Sequence, residues 1–145
     1  MSISQPHSEA DLPIWRESVT NLVNDLPDHV KGRKTTINGT PLVIKTLPIP
    51  AGAVYVFDWT AVARQTEGSG TIGDGAAYAG LVAFHLVGGT ATVIGSAASL
   101  LAVEDNGAWG VAVTGTGNQA EWTVTGEASK TIGWRIDMDV RKLSL

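Results

Sequence analysis

The chain has 145 residues, no cysteine and a formal net charge of −4. Lys and Arg total only 10, which excludes the broad basic surface that binding to a phosphate backbone needs, and the lack of cysteine excludes a disulfide framework and Cys-ligated zinc. The length suits one domain with an appendage and leaves no room for two large domains.

The N-terminal MSISQPHSEADLP carries neither a basic n-region nor an apolar h-region, so a soluble protein made without a signal peptide is expected. No apolar run approaches the ~20 residues that span a bilayer. From residue 8 to about 30, Leu12, Trp15, Val19, Leu22, Val23 and Leu26 fall on one helical stripe, with Arg16, Glu17, Thr20, Asn21 and Asn24 on the other side. An amphipathic helix follows, with Asp11 as N-cap, Pro13 in the first turn and Pro27 ending the pattern. Its stripe is buried either on the protein's own β domain or against another chain. Residues 28–34, DHVKGRK, read as a polar and basic connector. The division expected is 1–34 as anchor helix and linker and 35–145 as β domain.

Beyond residue 35 the sequence alternates β-rich runs with turn chemistry, giving strands at 42–49, 53–65, 76–87, 90–96, 98–103, 108–114, 119–125 and 131–141. Seven or eight short strands in this length predict a mainly β protein, an antiparallel β-sandwich of jelly-roll or immunoglobulin-like type. In the last run Trp134, Ile136, Met138 and Val140 face one way and Arg135, Asp137, Asp139 and Arg141 the other. Ala120, Trp122 and Val124 should likewise face inward, and Trp59, Trp109, Trp122 and Trp134 are the expected large members of the core. The runs 53–65 and 76–87 break the alternation. Leu81, Ala83 and Val87 lie on the face that an antiparallel sheet usually gives to water. That face needs a cover, either a neighbouring subunit or residues 1–30 folded back.

Gly68, Gly70 and Gly73 form a literal G-x-G-x-x-G. The motif holds a pyrophosphate only between a strand and a helix. Here a strand follows, and the first acids downstream, Glu104 and Asp105, lie too far on for a ribose contact. The stretch reads as a hairpin loop at 66–75, and Gly88-Gly89 as a tight turn.

The chemistry-bearing residues are sparse. His7 and His29 stand in polar segments and His85 among apolar residues, with no zinc spacing, so His85 reads as a structural or interface residue. No nucleophile elbow is present. Asp137 and Asp139 share a strand face with Arg135 and Arg141, which suits surface charge pairing. Glu104-Asp105-Asn106-Gly107 is a turn and lacks calcium-loop spacing. No catalytic, metal-binding or cofactor-binding residue is expected, no cofactor, and no enzyme activity.

The order of several motifs resembles a β-rich domain of tailed-bacteriophage virion proteins, of the tail-fibre or minor structural type. ARQT (63–66) precedes a glycine loop; GDGAAY (73–78), GGT (88–90) and an IG at 94–95 follow. ED (104–105) stands four residues before Trp109, and VTG (124–126) leads to TIGW (131–134). The resemblance covers about residues 42–141. It implies a sandwich that projects from the virion exterior, often as a trimer, fixed by an N-terminal segment, with no catalytic residues to carry over. The absence of a repetitive shaft favours a capsid decoration, cement or short head-spike protein, with a tail-fibre or tail-tip component, or a carbohydrate-binding module for host attachment, as the alternatives. The expected partners are further copies as a homotrimer, the major capsid protein and a host surface glycan, with no nucleic acid and no membrane. The expected oligomer or virion interface comprises Leu12, Trp15, Val19, Leu22, Val23, Leu26, Leu81, Ala83, His85 and Val87.

Overall fold

Nine β-strands, and no helix, make up residues 26–144, the part of the chain that the computed structural model describes. They are β1 (His29–Thr36), β2 (Leu42–Pro48), β3 (Ala53–Gly68), β4 (Gly75–Val87), β5 (Thr90–Val93), β6 (Ala98–Glu104), β7 (Gly110–Thr116), β8 (Gln119–Thr125) and β9 (Lys130–Ser144). A six-stranded sheet runs β1-β9-β3-β4-β5, with β6 also paired to β4, and a three-stranded sheet runs β2-β8-β7. All pairs are antiparallel. The six-plus-three division differs from the four-plus-three of an immunoglobulin domain and from the eight strands of a jelly roll. The strand order therefore corrects that finer expectation and keeps the two-sheet one.

Strict alternation builds the core. In β9, Ile132, Trp134, Ile136, Met138 and Val140 are buried and Arg135, Asp139 and Arg141 exposed. In β3, Tyr55, Phe57, Trp59, Ala61 and Ala63 point the same way. The smaller sheet answers with Ala120, Trp122 and Val124. Trp122 lies edge-on to Phe57 at 5.1 Å between ring centroids, and Phe57 meets Phe84 at 5.9 Å, the offset geometry that aromatic quadrupoles favour. Trp59, Trp109, Trp122 and Trp134 are all buried, as the alternation predicts.

The two sheets approach most closely along their edges. A Cβ on Gly32 would stand 2.9 Å from the Ile44 carbonyl oxygen, and one on Gly115 only 2.1 Å from that of Ala91. Glycine at these two places lets β1 reach β2 and β5 reach β7. On the far side, the single long edge of β4 is shared by two short strands end to end: β5 pairs with Phe84–Val87 and β6 with residues 76–81.

Two expectations change here. Residues 29–34, expected in a connector, belong to β1, which pairs along eight positions with β9. Only Val30 and Thr36 are buried in it, so its charged exposed positions hide the strand pattern, as edge strands often do. The expected helix stripe, Leu12, Trp15, Val19, Leu22 and Val23, lies outside the described residues. Leu26 is within them and packs partly buried against the core.

Candidate functional site

The glycine motif is a hairpin between β3 and β4. Gly68, Gly70 and Gly73 all have positive φ, and a Cβ on Gly68 would fall 2.2 Å from the Ser129 carbonyl oxygen. The buried Gln65 donates from Nε2 to the carbonyls of Ser69 at 2.6 Å and Glu67 at 3.3 Å, and Ser69 N–H donates to Ser129 at 2.9 Å. The loop is thus pinned from within and against the 126–130 turn, where Lys130 pairs with Glu127. That pairing holds the Glu127 carboxyl below the ordinary carboxylate range, assisted by hydrogen bonds from Asn106 and Trp109. At the C-terminal end of β6, Tyr78 donates its hydroxyl to Glu104. Burial first, and then this carboxylate, push the phenol well above its ordinary pKa.

The surface with the most unexplained chemistry is the outer face of the six-stranded sheet. Residues directly opposite across antiparallel strands share a face, so the register spells out its rows. One row reads Arg33, Arg135, Val62, Ala77, Val103; the next Lys31, Asp137, Thr60, Ala79, Leu101; the next His29, Asp139, Asp58, Leu81, Ala98. Each begins charged on β1 and β9 and ends apolar on β4 and β6. In the charged half His29 Nδ1 lies 2.8 Å from Asp139 and Arg135 Nε donates to Asp137 at 2.9 Å. In the apolar half Val103 is 53% exposed, Val62 47% and Leu101 42%. Leu143 of β9 and Val87 of β4 extend this exposed apolar surface. Of the expected interface residues, Leu81, Ala83 and His85 lie half-buried on this face and Val87 exposed at its end. The apolar positions on β6, Leu101 and Val103, were not among those expected. A seven-residue run with no buried position gives no alternation to read, and its partner β4 sets its facing.

No protein-family model matches the chain, and no curated protein matches it. Three solved structures that match part of the chain are tailspike proteins. That of Acinetobacter phage vB_ApiP_P1 is 12% identical, with 82% of this chain and 24% of that one covered and a TM-score of 0.47. That of Acinetobacter baumannii phage AM24 is 10% identical, with 81% and 26% covered and a TM-score of 0.49. The third, from A. baumannii bacteriophage Fri1, is 10% identical, with 88% and 23% covered and a TM-score of 0.39. The chain spans about a quarter of the length of each. The Fri1 tailspike is described as a capsular polysaccharide depolymerase, and the expectation of no enzyme activity therefore does not stand.

Proposed function

We propose that the chain is a β-sandwich module of a bacteriophage tail protein, on the outside of the virion, which assembles with further copies through the apolar half of its outer sheet face. The observation that carries the reading is that half-face: Val62, Leu101 and Val103 share it with Leu81 and Ala83, open to solvent among the described residues. Burying each large side chain contributes about 1.5–3 kcal/mol before ordering costs, so a few of them per subunit suffice for a specific contact. The ordered motifs ARQT, GDGAAY and TIGW, which resemble a domain of tail-fibre or minor structural proteins, supply the phage part of the reading. The head-decoration reading leaned on a missing shaft and on an anchor helix that lies outside the described residues. It gives way to the tail reading, and the capsid partner goes with it.

Two measurements test this. Gold-labelled antibody raised against the chain should decorate the tails of intact virions; label confined to heads would overturn the location. Light scattering on the purified chain should give a mass several times 15.1 kDa, three times for the expected homotrimer, and Leu101→Asp with Val103→Asp should reduce it to one chain. A wild-type monomer at high micromolar concentration would sink the assembly role.

A further inference from the structure

The charged half of the outer face contains a trough of about 480 Å³, open to solvent and lined by residues 33–35 of β1, 62–64 of β3 and 133–135 of β9. Its floor is Gly133. In the register, Thr35, Gly133 and Arg64 form one row and Arg33, Arg135 and Val62 the adjacent one. The missing side chain at the centre opens the space, and Arg33, Arg64 and Arg135 line it, the Arg64 head group lying towards Gly73 of the β3–β4 loop.

Nothing in the fold requires glycine at that position. A Cβ there would come no closer than 4.0 Å to another residue, the Arg64 carbonyl oxygen, and Gly133 is not among the glycines with positive φ. Nor does the fold neutralise the rim. Arg33 and Arg135 stand directly opposite each other, a like-charge placement that costs stability across strands. Arg135 has Asp137 as a partner, whereas among the described residues Arg33, Lys34 and Arg64 have no carboxylate partner. Four of the chain's 10 Lys and Arg residues line this one trough, in a molecule of net charge −4. Such a concentration of unpaired guanidinium groups around an open volume fits an anion, and their planar forks match a carboxylate in particular.

The surroundings narrow the ligand further. β9 is hydrogen-bonded to β1 on one side and β3 on the other, so the floor has no free backbone edge on which a peptide could add as a strand. Recognition falls to side chains: the Thr35 hydroxyl and the guanidinium N–H groups not engaged by the anion, which suit a ligand rich in hydroxyls. Three strands set the width at about 10 Å, room for a short stretch of sugar rings, and the volume lies within the ~300–1,000 Å³ common for small-molecule sites.

From this we infer that the trough binds an acidic saccharide, with a uronate carboxylate held by Arg64 and Arg33 over Gly133 and the ring hydroxyls reached by Thr35 and Arg135. The site adjoins the apolar half of the face at Val62, which lines the trough on its β3 side, and does not rest on the tail-protein reading.

Titration calorimetry on the full chain tests it with three probes: a hyaluronan tetrasaccharide, which carries glucuronate, the neutral chitotetraose, and tetraglutamate as a protein-like carboxylate. The hyaluronan fragment should bind, and more weakly as salt is raised. Arg64→Gln and Arg33→Gln should each weaken it about tenfold or more, as expected for loss of a charge-assisted bond. Gly133→Leu should abolish it without any change of charge. Arg141→Gln, the same charge change at the far end of β9, should leave it unaltered. Equal binding of chitotetraose would overturn the role of the carboxylate. Equal binding of tetraglutamate would make the ligand an acidic protein segment and overturn the saccharide. An equal loss with Arg141→Gln would reduce the site to general charge, and no binding of the hyaluronan fragment at millimolar concentration would dismiss it altogether.

Discussion

Trp122 has no exposed surface and touches Phe57 edge-on where the two sheets meet. Replacing it with Ala should cost about 3–5 kcal/mol, a large part of the ~5–15 kcal/mol that holds a domain of this size; urea unfolding of Trp122→Ala should show the midpoint collapse. Glu127 is a smaller case with a definite sign. Its folded-state carboxyl is held below the ordinary range by Lys130, so its contribution is complete above the unfolded pKa and fades as pH falls through the lowered value. Glu127→Gln should therefore lower the neutral plateau and flatten the acid limb, the difference from the parent chain shrinking as pH falls. Thermal melts from neutral pH downward would read this, and an unaltered acid limb would count against the pair. Alternation made the buried tryptophans legible in the sequence, because a period of two needs no knowledge of partners. The hydrogen bond from Trp134 Nε1 to Thr36, 3.0 Å long and buried, was not, since it joins residues brought together only by the pairing of β1 with β9.

At the level of strands, turn chemistry and period together gave eight of the nine described strands, with ends displaced by a few residues. β1 was missed because its exposed Lys31, Arg33 and Lys34 overwrite the apolar signal. The glycine loop was read correctly as a hairpin because a strand, not a helix, follows it; the buried Gln65 that pins it left no mark in the sequence. β6 carries a prediction of its own. All seven of its residues are exposed, and it pairs with β4 alone, whereas β9 is paired on both sides and buries its inner row. Local opening draws on such weakly held elements first. Amide hydrogen exchange followed by mass spectrometry should find β6 exchanging well before β9, and equal protection of the two would mean that something else covers β6.

For the molecule as a whole, the sequence disclosed that one sheet face carries more apolar surface than an antiparallel sheet normally shows to water, because Leu81, Ala83 and Val87 stand where polar residues should. It did not disclose the arginine-rimmed trough, whose cations come from strands far apart in the chain and meet only through the register. If copies share the apolar half-face, folding and assembly are linked, and the melting temperature should rise with protein concentration; a melting temperature that stays constant over a hundredfold range, roughly 3 kcal/mol of mass action, would separate the two processes. His29 lies opposite Asp139, and Asp28 accepts a hydrogen bond from Val140 N–H, so the chain enters β1 and runs out along β9 at the same pole. Tension applied between those two points would pull the strands apart like a zipper, one rung at a time, and not shear all rungs together. A pull directed through the outer face would bypass that seam, which makes the face, and not the ends of the strands, the mechanically durable place of attachment.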